Sequence, residues 1–346
     1  MVENKVSIII PTYNSEDFID DTLLSLNNQT YKDIEVIIVD DCSNDRTYDH
    51  LLELKGKENY FFSMIIDKLP SNSGQGNARN KGLDLATGQY IMFLDSDDKL
   101  ESVAVERMVS NIYDTDICIC SFYRQRGDNI QKNMFSRKEG IYSVSDFLSN
   151  LLIEWPINWL SCIGNKIYKR EIILSNTIRF NDTEYRYNED LAFAVDYIRA
   201  CNRVRVINDE LYSYTYTIGS VQHKNTYIEN SIITIRNARL NLYKLISEYS
   251  LQNEVLELLT HSMVDLYFVK LITKWGSYTR FQTVFYQVCD FPEIQEIKIQ
   301  GYSVLKKIFL KLAFLRRAKL AYVFFNFLNF GKLIYSGTKN TLFKVG

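Results

Sequence analysis

The chain reads as an α/β protein, a doubly wound, mostly parallel sheet followed by a helical C-terminal region. Short apolar runs rich in β-branched residues alternate with helix-period segments through its first third, and from about Tyr227 onward the pattern is helical. A further observation bears on function. Two acidic clusters, Val39-Asp40-Asp41-Cys42-Ser43 and Leu94-Asp95-Ser96-Asp97-Asp98, each directly follow an apolar run that reads as a buried strand. Ligands of open α/β sheets bind outside the carboxyl ends of the strands, so these acids are expected to meet a ligand instead of a core. Asp-x-Asp at such a place offers hard oxygen ligands to Mg²⁺ or Mn²⁺, ions that commonly keep a phosphate in their shell.

The elements follow in order. Val6 to Ile10 is a β-branched run stopped by Pro11, which has no N–H for a ladder. In Ser15 to Leu26 the positions Phe18, Ile19, Thr22, Leu23 and Leu26 approach the spacing of an amphipathic helix. Ile34 to Val39 is the second strand, Asp45 to Lys55 the second helix and Phe62 to Ile66 the third strand. Asn77 to Ala86 reads as a helix with Gly88 just beyond its end. Tyr90 to Leu94 is the fourth strand and Asp116 to Tyr123 a fifth, after which the order becomes mixed. The expected organisation is an α/β domain over 1–220, a helical extension over 221–300 and a basic, aromatic-rich tail over 301–346.

Composition narrows the function classes. With 346 residues, 46% hydrophobic and 24% charged, the chain is long enough for one large globular domain and an appendage. Six cysteines without a CxxC pair and only three histidines give no zinc-ligand spacing and favour a reducing, cytoplasmic setting. The N-terminus has no basic segment leading into a long apolar stretch, so no signal peptide is expected. Gly74-Gln75-Gly76 lacks the third glycine of a dinucleotide fingerprint and does not directly follow its strand.

The formal charge of −2 hides an asymmetry. From Gly301 to Gly346 there are nine basic residues and no acid, which leaves 31 basic and 42 acidic residues before it. The longest uncharged run in that tail, Leu320 to Gly331, has 12 residues, short of the ~20 that span a bilayer. Basic residues beside aromatics suit the surface of an anionic membrane leaflet, although those of 306–319 do not fall on one clean helical face. Packing against the rest of the chain or a homo-oligomer contact is the competing use of the tail. Nucleic acid is disfavoured, because the other 300 residues are acidic.

Four ordered blocks permit a resemblance. Val6-Ser7-Ile8-Ile9-Ile10-Pro11-Thr12-Tyr13-Asn14, Val36 to Asp45 with its Val-Asp-Asp-Cys-Ser core, Asn72-Ser73-Gly74-Gln75-Gly76-Asn77-Ala78-Arg79-Asn80-Lys81-Gly82, and Gly88 to Asp98 ending Leu-Asp-Ser-Asp-Asp together resemble the family 2 glycosyltransferases of GT-A fold. Looser resemblance continues through Gly164 to Arg170, Asn188 to Phe193 and Tyr212 to His223, and covers about the first 225 residues.

The resemblance implies an inverting, metal-assisted transfer of a sugar from a UDP-sugar donor to a saccharide hydroxyl in cell-surface polysaccharide synthesis, and the basic, apolar tail fits an acceptor that is polyprenyl-linked. The resemblance also implies that Pro11, Thr12 and Tyr13 line the nucleoside pocket and that Asp41 accepts from the imide N–H of uracil. Asn72 and Arg79 match positions beside the nucleotide, Arg79 in the first turn of its helix with its guanidinium towards phosphate. Asp95, with Ser96, matches the ribose or outer metal contact, Asp97 the direct ligand of Mn²⁺ or Mg²⁺, and Asp190, following Glu189, the catalytic base. His223 lies in a segment that in the family closes over the diphosphate, where it would add a metal or phosphate contact. Trp155 and Trp159 would stack on an acceptor sugar.

Each residue also has a plainer use. Asp40, Asp41 and Asp98 are good turn formers and helix caps, and Asn188-Glu189-Asp190 is how a helix begins. Arg79 would serve as a surface helix residue, His223 as a polar surface residue, and the tryptophans as core aromatics. Two other functions fit the same sheet, a nucleotidyltransferase that makes a sugar nucleotide and releases pyrophosphate, and a catalytically silent scaffold.

Overall fold

The computed structural model describes residues 4–57, 60–126, 129–131, 138–153, 157–181, 188–215, 228–249, 264, 267, 277–291, 294 and 303–336. Trp155 and His223 lie outside them.

β1 (Val6–Thr12) and β2 (Ile34–Asp40) are buried at every position, the pattern of parallel strands covered on both faces. They pair in parallel with each other, β3 (Ser63–Lys68) extends β2, and β4 (Tyr90–Phe93) lies along the other edge of β1. Helices α1 (Ile19–Asn27), α2 (Thr47–Gly56) and α3 (Gln75–Leu85) make the connections. The order β3-β2-β1-β4 reverses its winding between β1 and β4, so the crevice at their carboxyl ends is the topological switch point where such sheets bind ligands. Gly82 lets α3 approach β1 closely, since a Cβ there would lie 2.4 Å from Ile9 Cγ2.

Beyond β4 the sheet is mixed. After β5 (Lys99–Leu100) and α4 (Ala104–Ile112), β6 (Ile117–Arg126) does not join β4. Instead β9 (Lys166–Lys169) runs antiparallel between them. Its Ile167 and Tyr168 are fully buried, with Tyr168 edge-on to Phe93 and to Phe193, so packing fixes a strand too short to announce itself by periodicity. β10 (Arg203–Thr215) lies parallel to β6 with a register shift between Val206 and Glu210, and antiparallel to β5 and to β8 (Gly140–Ser143). β7 (Asn129–Gln131) pairs with β6. Helices α5 (Val144–Ile153), α6 (Ile157–Ser161), α7 (Arg170–Ser175) and α8 (Glu189–Arg199) complete this part.

The chain divides into two compact units, residues 1–224 with 237–251, and residues 225–236 with 252–346. The helix α9 (Ile228–Glu248) contributes to both. In the second unit α10 (Tyr278–Cys289), α11 (Val304–Phe314) and α12 (Ala318–Ser336) share an aromatic core in which Phe281 meets Phe285 and Phe325, and Phe325 meets Phe309. Among the described residues no helix is long and apolar enough to cross a membrane.

Candidate active site

The loops leaving β1, β2 and β4 are tied together at the switch point. The N–H of Asp41 donates to Thr12 O at 2.8 Å, and the N–H of Asn14 donates to Ser43 Oγ at 2.9 Å. The hydroxyls of Ser15 and Ser96 meet at 2.7 Å, while Thr22 Oγ1 donates to the carbonyls of Ser96 and Asp98. Pro11 and Thr12 are buried, and Tyr13 is exposed with its hydroxyl accepting from Asn44 Nδ2 at 3.0 Å.

The two acids of the first cluster have different tasks. Asp40 is fully buried and accepts from the N–H and hydroxyl of Ser43, closing a turn in which Cys42 adopts φ 58°. Asp41 reaches across to the loop before α3, and its two oxygens accept from the N–H groups of Ser73 at 2.7 Å and Gly74 at 2.8 Å. Gly74 has φ 99°, a conformation that suits glycine. Asp41 thus sets the wall of the crevice next to exposed Asn72.

Arg79 forms the floor. Contrary to the expectation of a guanidinium facing phosphate, it lies in the second turn of α3, is 0% exposed, and engages carboxylates. Nη2 donates to Asp95 Oδ1 at 2.8 Å, Nη1 donates to Asp190 Oδ1 at 2.7 Å, and Glu189 Oε1 is 3.6 Å from Nη1. Burial opposes the charge of Arg79, but Asp190, Asp95 and Glu189 outweigh it and raise its pKa, so it stays a cation. One fork therefore holds an acid from the end of β4 and an acid from the start of α8, residues far apart in the chain. Asp95 and Asp190 keep 36% and 28% of their side-chain surface open, whereas Glu189 is 2% exposed and also accepts from Gln75 Nε2. Of the expected catalytic pair, Asp190 is the one that can reach a ligand.

Asp98 turns away from the crevice. It is buried, accepts from the hydroxyl of Tyr212 and, at 2.7 Å, from the N–H of Thr215. Burial first, then the charges of Asp95 and Asp97, push its pKa well above the ordinary carboxylate value. Tyr212 in turn packs over Gly164, where a Cβ would lie 2.2 Å from its ring. Trp159 is fully buried with Nε1 donating to Cys120 O at 3.2 Å, so the core packs it and it does not stack on a sugar. The buried ammonium of Lys166 donates to Trp159 O, Cys162 O and Asn165 Oδ1, fixing the turn that leads into β9.

Gln75 and Tyr212 were not singled out by motif. Gln75 stands four residues before Arg79 on one helical face, a spacing that was available as a signal. Tyr212 gave none, because its partner is 114 residues away.

The fit of a divalent cation rests on Asp95 and half-buried Asp97. Among the described residues no three His, Cys, Asp or Glu side chains converge as a ready-made cage. Mg²⁺ is commonly held by one or two carboxylates together with substrate phosphate and water, a number of protein ligands that Asp95 and Asp97 could supply. The local charge agrees, since Asp190, Asp95 and Glu189 act on Arg79, and Asp97 stands with Asp95 near Asp98.

Residues 7–175 match the family model described as Glycosyl transferase family 2. Over those residues, just under half of the chain, the sequence is of that family. Among curated proteins it is 31% identical over 215 residues to the poly(ribitol-phosphate) beta-N-acetylglucosaminyltransferase TarS of Staphylococcus aureus, covering 61% of this chain and 35% of that protein. It is 32% identical over 220 residues to the putative glycosyltransferase EpsH of Bacillus subtilis, covering 62% of each. The chain thus spans less than two thirds of either relative. In fold it is similar to TarS 1-349 of S. aureus in complex with UDP-GlcNAc, with a TM-score of 0.68 at 21% identity over 94% of this chain and 92% of that one. It is also similar to the mannosyltransferase PcManGT from Pyrobaculum calidifontis in complex with GDP-Man and Mn2+, with a TM-score of 0.51 at 15% identity over 90% and 86%. The mixed, mostly parallel sheet is of GT-A type.

Proposed function

We propose that this protein is an inverting glycosyltransferase that moves a sugar from a UDP-sugar to a hydroxyl of a saccharide acceptor, polyprenyl-linked, in the assembly of a cell-surface polymer. The observation that carries this reading is the Arg79 fork, which brings Asp95, on the donor side, and Asp190 onto one floor at the switch point. The names of TarS and EpsH support the class, and the UDP-GlcNAc complex of TarS supports a UDP-sugar donor.

In this mechanism the nucleoside lies between Pro11, Thr12 and Tyr13 on one side and Asn72 with the Ser73–Gly74 turn on the other. Asp41 accepts from an imide N–H of the base alongside those two amides. Asp95 and Ser96 face the ribose. Asp97 with Asp95 would hold Mn²⁺ or Mg²⁺, which when bound takes up negative charge on the departing diphosphate. Asp190 is partly open to solvent, and Arg79 fixes its orientation from beneath. It takes the proton of the acceptor hydroxyl as that oxygen attacks the anomeric carbon from the face opposite the leaving group. Such a single displacement inverts the anomeric configuration.

The test is a donor panel. The protein is incubated with Mn²⁺ or Mg²⁺ and UDP-, GDP-, dTDP- and CMP-sugars, and nucleotide release is scored. Slow release of UDP from one sugar nucleotide is expected. Release of pyrophosphate from a sugar phosphate and a nucleoside triphosphate would instead establish a nucleotidyltransferase, and no turnover or binding of any donor would establish a scaffold.

A further inference from the structure

The second unit ends in two helices whose solvent sides resemble neither a core nor an ordinary polar surface. In α11 the packed side is Phe309, Leu310 and Ala313, all fully buried. At 100° per residue the opposite side carries Val304, Ile308 and, just past the helix end, Leu315, all exposed, with Lys307 and Lys311 beside them. Arg316 then takes φ 49° and breaks the chain direction. In α12 the packed side is Ala318, Ala321 and Phe325, and the opposite side carries exposed Lys319, Leu320 and Val323. The break explains why the basic residues of 306–319 fit no single helical face, since they belong to two helices of different phase.

These exposed groups are not incidental. Val304 is 73% exposed and Val323 66%, on helices whose other sides are already buried. Arg316 is ion-paired with Asp290, but Lys307, Lys311, Arg317 and Lys319 have no ion-pair partner among the described residues. No acid occurs anywhere in residues 301–346.

We infer that the solvent sides of α11 and α12 are a docking surface for an anionic lipid bilayer, on which the protein lies without crossing it. Apolar side chains beside unpaired lysines suit the headgroup boundary, where the former leave water and the latter meet phosphate. A second copy fits less well, because a two-fold contact would set each set of lysines against its own kind. A nucleic acid would use the lysines and leave Val304, Leu320 and Val323 in water.

Co-sedimentation of the full chain with phosphatidylcholine vesicles, with and without phosphatidylglycerol, tests this in low and high salt. Binding is expected to the anionic vesicles only, and to fall with salt. Lys307→Gln, Lys311→Gln and Lys319→Gln together should weaken it on the order of a hundredfold, at about fivefold per charge. Ile308→Ser with Leu320→Ser and Val323→Ser should weaken it while leaving the melting temperature unchanged, since all three are exposed. No binding to anionic vesicles, or binding indifferent to both variants, overturns the inference. So does a dimer in light scattering that the serine variant dissociates. The readout uses no nucleotide, so its failure and that of the glycosyltransferase reading are separable.

Discussion

Replacing Arg79 by Met removes the charge while roughly keeping the volume, and its effect can be worked from the contacts. Two direct ion pairs, at 2.7 and 2.8 Å, and a third carboxylate at 3.6 Å lose the Arg79 guanidinium, whose own side chain is 0% exposed. Asp95 and Asp190 can turn to water, so their share is discounted, but Glu189 is 2% exposed and would be left as a buried carboxylate with Gln75 as its side-chain donor. Breaking a buried pair in this way costs about 3–5 kcal/mol. The partial exposure of the other two acids places the expected loss near the lower end, about 3 kcal/mol. Urea unfolding at pH 7 measures it. Arg79→Lys should fall between, since one ammonium cannot span Asp95 and Asp190 as the fork does. A loss under about 1 kcal/mol at pH 7, or an Arg79→Lys variant less stable than Arg79→Met, would refute the electrostatic floor.

Two further predictions concern the scaffold. Burial would raise the pKa of Glu35, but hydrogen bonds from Lys5, Ser7 and Thr87 outweigh it and bring it down to about 2. Its stabilisation is therefore complete above the unfolded value near 4.5 and is lost as the pH falls towards 2. Glu35→Gln should cost on the order of 2–3 kcal/mol at pH 7 and flatten the acid limb of a stability profile, and an unchanged limb would contradict the assignment. Gly164→Ala would drive a methyl into the Tyr212 ring. It should cost about 1–3 kcal/mol in urea unfolding, and an unperturbed variant would mean that the ring yields freely.

Much of the first half of the fold was legible in the residues. β1, β2 and β4 are short β-branched or apolar runs, each followed by a turn former, and their burial on both faces is what such runs imply. β9 was not legible. It is only four residues long and is held by Tyr168 against Phe93 and Phe193, contacts that no local pattern encodes. The acidic clusters marked the crevice, but the division of labour within them depended on the third dimension. Asp40 and Asp98 are anchors because Ser43, Tyr212 and Thr215 lie against them. Arg79 has its partners 16 and 111 residues away, so its place beneath the site, and not over the phosphates, required the fold.

Titration calorimetry of UDP with and without Mn²⁺, on the native protein and on Asp97→Ala and Asp190→Asn, tests the central claim most directly when paired with UDP-sugar turnover. The native protein should bind UDP more tightly with Mn²⁺, Asp97→Ala should lose that gain, and Asp190→Asn should bind as well as native yet not turn over donor. Manganese-dependent UDP binding that survives Asp97→Ala, or full turnover by Asp190→Asn, would contradict the roles assigned to the two carboxylates.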